Sequence, residues 1–154
     1  MGPLEDKLRV ARLIGLDSAV FIYHFEEHPR YQALCTIVFD AMEAGIIQAV
    51  TSTVTLVEVL VQPLVKGAQG LAARYEQYLR GGPSLTLRSL DPDLALRAAQ
   101  LRARYQLRTP DAVQLAAAIE FGARLFLTND ERTRKVTEIE VVSLEGWLQE
   151  HAPP

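Results

Sequence analysis

The stretch TPDAVQLAAAIEFGARLFLTND, residues 109–130, decides the fold class. Thr109-Pro110 is a typical helix start, because proline is favoured in the first helical turn. The apolar residues that follow predict a helix through Phe121, which Gly122 ends. Arg124–Thr128 (RLFLT) is a short apolar run typical of a buried strand. A helix followed at once by a buried strand indicates an α/β protein with a mostly parallel sheet.

The same alternation continues along the rest of the chain. Thr51–Gln62 is ambiguous, because its β-branched residues favour a strand while Thr51-Ser52-Thr53 offers a helix N-cap. We predict a strand that ends before it and a helix that ends near Pro63. The predicted strands are Arg12–Leu16, Ile46–Val50, Ser84–Ser89, Arg124–Thr128 and Ile139–Ser143. The other predicted helices are Pro29–Ala44, Gly67–Arg80, Asp91 to about Tyr105, Thr109–Phe121 and a short one around Trp147. With five strands and about seven helices, the prediction is one domain over residues 1–154, with no room for a second.

Composition excludes several classes of protein. The chain has 154 residues, a formal net charge of −3 and one cysteine, Cys35, so it has no intramolecular disulfide. No apolar run reaches the roughly 18–20 residues of a membrane span, and the start MGPLEDKLRV lacks the apolar core of a signal peptide. We therefore expect a cytoplasmic protein. A negative net charge argues against a protein that binds nucleic acid through overall positive charge. However, 13 of the 16 basic residues are arginine, the side chain best suited to phosphate contacts.

Four acidic residues occupy unusual places. Asp17 and Asp130 each follow a predicted strand, at the edge of a parallel sheet where ligands bind. Glu58 is the only charge in residues 51–65 and is predicted to share an apolar helix face, which requires a cation, a metal or a proton. Asp111 lies in the first turn of a predicted helix and is expected to point inward. Simpler explanations exist: a helix cap for Asp17, a buried salt bridge for Glu58, a favourable helix dipole for Asp111 and a turn for Asp130.

Taken together, the four acids indicate a metal site more strongly than any one of them does alone. If they face one crevice, their charges repel unless cations compensate them. A site with only carboxylate oxygens suits Mg²⁺ or Mn²⁺, and such an ion can hold a phosphate and stabilise a leaving oxygen. A Walker or dinucleotide-binding glycine loop is absent from the sequence, which argues against nucleotide hydrolysis and redox chemistry.

In order and context, these motifs resemble the PIN-domain nucleases. The residues that carry the resemblance are Asp17 in IGLDSAVFIYHF, Glu58 in TSTVTLVEVL, Asp111 in RTPDAVQLAAAIEFGA and Asp130 in RLFLTNDERT, over roughly residues 13–148. The chain looks most like the branch that includes ribonuclease toxins of type II toxin–antitoxin pairs. The resemblance implies a three-layer α/β/α sandwich around a parallel sheet of four or five strands. It also implies Mg²⁺- or Mn²⁺-dependent RNA hydrolysis, a homodimer and a small antitoxin partner.

The resemblance also assigns expected roles to individual residues. Asp17 and Asp111 are the expected direct metal ligands, Glu58 binds or orients a metal, and Asp130 completes the catalytic cluster. Ser18, Thr128 and Asn129 match polar positions near the site, whereas Ala19 stands where many relatives carry asparagine. We expect Arg108, Arg132 and Arg134 to contact RNA phosphates, or else to form a solvated basic face.

Two alternative functions and one candidate binding surface remain open. The chain could be a PIN nuclease that works without an antitoxin, or a non-catalytic binding module on the same fold. The helix with Tyr75 and Tyr78 is a candidate protein-binding surface, or else part of the core.

Overall fold

Helices and short strands alternate throughout residues 2–153, the part of the chain that this computed structural model describes. The strands are β1 (Leu13–Leu16), β2 (Gln48–Ser52), β3 (Leu85–Arg88), β4 (Leu125–Thr128) and β5 (Glu140–Ser143). The helices are α1 (Pro3–Ala11), α2 (Ser18–Phe25), α3 (Gln32–Glu43), α4 (Thr53–Val65), α5 (Gln69–Gly81), α6 (Pro92–Tyr105), α7 (Thr109–Phe121) and α8 (Leu144–Glu150). A 3₁₀ helix, Glu131–Lys135, lies between β4 and β5. None of the helices within residues 2–153 is both long enough and apolar enough to cross a bilayer.

All five strands run parallel in one sheet with the order β3-β2-β1-β4-β5. The order reverses at β1, since β2 and β3 lie on one side of it and β4 and β5 on the other. Such a reversal opens a crevice at the carboxyl ends of the central strands. Asp17 directly follows β1, and Asp130 comes two residues after the neighbouring β4, so the topology brings both acids to this crevice.

Side chains alternate between two cores, one on each face of the sheet. Ile14, Leu16 and Ala49 face the first core, which α1, α2, α3 and α5 cover. Val50 and Phe126 face the second core, which α6 and α7 cover. Helices on both faces of a parallel sheet form the three-layer α/β/α sandwich predicted from the sequence, and this prediction is confirmed.

Gly15 allows α7 to pack directly on β1. A Cβ atom added to Gly15 would lie 2.4 Å from Cβ of Ala118 and 3.1 Å from Cδ1 of Phe126. Any larger residue would therefore push the helix off the sheet. Because α7 lies this close, Asp111 in its first turn is held next to the crevice.

The structure corrects the sequence prediction in several places. Helix α1 and the 3₁₀ helix were not predicted, and no range was predicted for α2, which follows Asp17. Strand β2 continues to Ser52, two residues beyond its predicted end at Val50. Helix α4 was predicted to end near Pro63 but continues to Val65, because a proline in the last turn removes only its own hydrogen bond. The Lys66 N–H still donates to the Gln62 carbonyl, which closes the final turn.

Candidate active site

Asp17 lies in the crevice at the end of β1, buried and bonded on both carboxylate oxygens. Its Oδ1 accepts from the Ser18 backbone N–H at 2.8 Å, and its Oδ2 accepts from the Thr128 hydroxyl at 2.6 Å. The pKa of Asp17 is raised from 3.8 to about 6, mainly by burial and in smaller part by the charges of Glu58 and Asp111, and the two hydrogen bonds only partly offset this rise. The carboxylate is thus poorly compensated at neutral pH, and part of the cause is its acidic neighbours.

Thr128, the last residue of β4, connects Asp17 to Asp130. Its hydroxyl donates to Asp17 and accepts from the Asp130 backbone N–H at 3.0 Å. The Thr128 side chain is completely buried, so its single hydroxyl proton is committed to Asp17. One side chain therefore fixes the relative position of the two acids that follow the central strands.

Asp111 and Asp130 share a single arginine. Nε of Arg108 donates to Asp111 at 3.1 Å, and Nη2 of Arg108 donates to Asp130 at 3.3 Å. Arg132 adds two further bonds to Asp130, at 2.9 and 2.8 Å. These bonds, those of Arg132 above all, hold the pKa of Asp130 below its ordinary value. Both arginine side chains are largely exposed, so they can leave the acids without a large change in burial.

Glu58 is close enough to Asp17 to raise its pKa, but the expectation that Glu58 is buried is wrong. Helix α4 buries Thr55, Val59 and Pro63 instead. The helix is apolar nearly all round, so hydropathy alone does not identify its inner face. Glu58 consequently lies at the rim of the crevice. Its carboxylate is exposed to solvent there, so it needs no buried cation to compensate its charge.

The chemistry of these side chains fits a divalent cation such as Mg²⁺ or Mn²⁺. Asp17, Glu58, Asp111 and Asp130 offer only carboxylate oxygens, the donors that such ions prefer. A cation would relieve the repulsion that raises the pKa of Asp17. Within residues 2–153, no three acidic, histidine or cysteine side chains stand close enough together to hold an ion as they are.

The remaining predicted site residues are placed in different ways. Ser18 is buried beside Asp17, and its backbone N–H donates to that carboxylate. The Asn129 side chain spans two helices, because its amide donates to the Tyr23 hydroxyl and its Oδ1 accepts from the Glu145 N–H. Arg134 pairs with Glu131 and lines a cavity of about 190 Å³ with residues of β5 and α8, rather than contacting the four acids.

A buried polar cluster beneath the crevice was not predicted. Its members are Thr51, Ser52, Thr55 and Gln114, which lie on β2, α4 and α7. Gln114 is 2% exposed and sits one turn after Asp111. The available signal was a lone amide in the apolar helix AVQLAAA, since a buried polar side chain requires partners.

Comparisons with known proteins agree with this architecture. The family model of the PIN domain matches residues 14–139. A toxin–antitoxin complex from Klebsiella pneumoniae contains a similar chain, with a TM-score of 0.63 and 23% identity, over 86% of this chain and 96% of that one. VapBC2 from Rickettsia felis, bound to a DNA fragment from its promoter, contains another, with a TM-score of 0.66 and 13% identity, over 85% and 98% of the two chains. No curated protein matches this sequence.

Proposed function

Because this chain belongs to the PIN-domain family, whose members are generally nucleases, we propose that it is a metal-dependent endoribonuclease and the toxin of a type II toxin–antitoxin pair. The observation that carries the proposal is the network of contacts that links four acids around the carboxyl ends of β1 and β4. Thr128 contacts Asp17 and Asp130, Arg108 contacts Asp111 and Asp130, and the charge of Glu58 acts on Asp17.

In the proposed reaction the acids hold Mg²⁺ or Mn²⁺ and the arginines hold the RNA. Asp17 and Asp111 would bind the ion directly, Glu58 would bind or orient it from the rim, and Asp130 would complete the set. When bound, such an ion polarises a phosphate and stabilises negative charge on the leaving oxygen. Thr128 and the Ser18 N–H keep Asp17 oriented, so its carboxylate is presented in one position.

Arg108 and Arg132 are the proposed phosphate ligands. Their guanidiniums pair with Asp111 and Asp130. With a cation held by the acids, these exposed guanidiniums would be available to contact the negatively charged backbone of RNA. The same two arginines would thus stabilise the acids and position the substrate.

An antitoxin partner is supported by the outer face of α4. This helix exposes a stripe of apolar side chains beside Glu58: Val57, Val61, Leu64 and Val65, between 46% and 75% exposed. The proposed occupant is an amphipathic antitoxin segment whose apolar side covers the stripe and whose basic side chain reaches the acids. The alternative surface on α5 is part of the core, since Tyr75 is fully buried and Tyr78 packs against the same core.

The test of the nuclease is cleavage of single-stranded and structured RNA with Mg²⁺, with Mn²⁺ and with a chelator. Asp111→Asn is the inactivating variant. Asp93→Asn is a matched control, because Asp93 also follows a proline in the first turn of its helix, yet is exposed on α6. We expect metal-dependent cleavage by the wild type and Asp93→Asn only. Equal cleavage by Asp111→Asn, or cleavage that survives the chelator, would contradict the proposal.

The test of the toxin assignment is expression in a bacterial host. We expect growth arrest by the wild type, none by Asp111→Asn, and relief by the product of the adjacent small reading frame. Val61→Glu on α4 should keep RNA cleavage while abolishing that relief. Harmless expression of an active nuclease would instead indicate an RNA-processing enzyme without an antitoxin, and assembly through α4 without any second protein would indicate a homodimer.

A further inference from the structure

The buried polar cluster joins the three chain segments that carry Asp17, Glu58 and Asp111. Gln114 lies one turn after Asp111 on α7, and Thr55 lies one turn before Glu58 on α4. Gln114 Nε2 donates to the Thr55 hydroxyl at 2.6 Å. This bond therefore connects the two helices directly, at a depth where water does not compete.

The same chain of bonds continues to the residue before Asp17. The Thr51 hydroxyl donates to the Leu16 carbonyl at 2.9 Å, so the Thr55 hydroxyl is the donor in the 2.7 Å contact between the two threonines. All the donors point the same way, from Gln114 through Thr55 and Thr51 to Leu16. Bonds aligned in this manner strengthen one another in a buried environment.

The other end of the Gln114 amide holds the start of α4. Its Oε1 accepts from the Ser52 hydroxyl at 2.8 Å and from the Ser52 backbone N–H at 3.2 Å. Ser52 is the N-cap of α4 and also accepts from the Val54 N–H. One side chain thus bonds to the cap of α4, to its first turn and, through Thr51, to the end of β1.

We infer that Gln114 is a positioning residue that sets the spacing of Asp17, Glu58 and Asp111, and thereby the affinity of this acidic cluster for a divalent cation. The inference rests on the proposed function. Gln114 touches neither an acid nor the crevice, so it acts through the two helices and β1. Groups that hydrogen-bond directly to metal ligands typically alter metal affinity or activity by about 10–100-fold when removed. We expect an effect of that order from Gln114, because its bonds hold all three segments that carry the acids.

The experiment uses two isosteric changes that remove polarity while keeping shape. Gln114→Met deletes every bond of the amide, and Thr55→Val deletes only the middle of the chain. Thr55→Ser is the conservative rescue, because it restores the hydroxyl. Tyr75→Phe is the matched control for a lost hydroxyl, since Tyr75 is buried in the other core and its hydroxyl bonds to Glu26 at the edge of that core. Thermal melting establishes that each variant is folded and measures how much stability each substitution removes.

We expect Mn²⁺ titrated calorimetrically to bind Gln114→Met and Thr55→Val about 10–100-fold more weakly than wild type. Their kcat should fall by a similar factor while KM for RNA stays within about twofold, because the arginines are untouched. Thr55→Ser and Tyr75→Phe should keep wild-type metal affinity. Mn²⁺ affinities of Gln114→Met and Thr55→Val within about twofold of wild type would overturn the inference.

A second readout separates this inference from the proposed function. Backbone amide resonances of the metal-free protein report position without any catalysis. Gln114→Met should move the resonances of Asp17, Glu58 and Asp111, whereas Tyr75→Phe should not. Shifts confined to the direct contacts of residue 114 would refute the positioning role. A wild type that binds no divalent ion and cleaves no RNA would refute the proposed function while leaving the resonance test decisive.

Discussion

Asp17 and Asp130 follow adjacent parallel strands and bond to the same threonine, yet their electrostatic environments are opposite. Asp17 is buried, has acidic neighbours and has its pKa raised to about 6. Asp130 is more exposed, bonds to Arg132 and Arg108, and has its pKa lowered. The two acids thus divide the crevice: within residues 2–153 no arginine bonds to Asp17, whereas Arg108 and Arg132 both bond to Asp130.

The division indicates how the two halves of the site contribute. A cation gains most where negative charge is least compensated, which is the Asp17 side. On the Asp130 side a cation must first displace arginine. In the proposed reaction Asp17 would therefore be the stronger metal ligand and Asp130 the weaker one, while the exposed guanidiniums beside Asp130 would contact the phosphate.

The largest expected effect of the difference between Asp17 and Asp130 is on the rate of RNA cleavage. Asp17→Asn should lower kcat/KM by about 10³-fold, because losing a metal that contributes several kcal/mol costs that factor. Asp130→Asn should cost only about tenfold, since the arginines still compensate the phosphate charge. Single-turnover RNA cleavage measures both.

Asp91→Asn is the matched control, because Asp91 is also an aspartate N-cap, on α6 and paired with Arg88. It should leave kcat/KM unchanged. Equal losses in Asp17→Asn and Asp130→Asn would remove the distinction between the two sides.

The next effect is on stability as a function of pH in metal-free buffer. Since the pKa of Asp17 is raised in the folded protein, the unfolded chain loses its proton first as pH rises. The free energy of unfolding should therefore fall by about 3 kcal/mol between pH 4 and 6, and no further above that. Urea unfolding of the wild type and of Asp17→Asn across this range isolates the change, because only the wild type can show it.

Asp130 should show the opposite sign. Its lowered pKa stabilises the folded protein above the unfolded pKa, and this contribution is lost as pH falls through the folded value. The difference in unfolding free energy between wild type and Asp130→Asn should thus grow in favour of wild type as pH rises from acid. A difference of the same sign for both aspartates would mean that burial and arginine pairing do not distinguish them.

The smallest effect concerns RNA affinity. Arg132→Gln should weaken RNA binding by a few-fold and reduce the slope of log K against log salt by about one. Arg134→Gln is the control, because Arg134 belongs to the same 3₁₀ helix but faces β5 and α8. Fluorescence anisotropy at several salt concentrations measures the slope. Equal slope changes in both variants would indicate a diffuse basic face instead of a phosphate contact at Arg132.

Local signals in the sequence predicted most of the secondary structure. Asp91-Pro92 and Thr109-Pro110 start α6 and α7, and Gly122 ends α7 where expected. These boundaries depend on cap chemistry and on backbone conformations that one or two residues decide. Asp17 and Asp130 lie at one crevice because they follow adjacent parallel strands, whose carboxyl ends meet at the same edge of the sheet. The alternation of helices and strands in the sequence had already indicated such a parallel sheet.

The orientation of α4 and the internal partners of the acids could not be predicted. Helix α4 is apolar on its buried and exposed faces, so only the bonds of Thr55 identify its inner side. The sharing of Arg108 by Asp111 and Asp130, and the cluster around Gln114, both require knowing which elements become neighbours. The contacts of Arg108 with Asp130 and of Gln114 with Ser52 and Thr55 join residues far apart in sequence, where periodicity carries no information.

The tight packing of α7 determines which inactivating substitutions leave the protein folded. Every residue from Asp111 to Ala118 is buried, and the helix rests on Gly15 with no room to spare. In a selection for survivors of the growth arrest proposed above, substitutions of the apolar residues of this helix will remove folding and activity together. Survivors that still accumulate as folded protein will instead map to exposed positions such as Arg108, Arg132 and Glu58, where a change of charge spares the core.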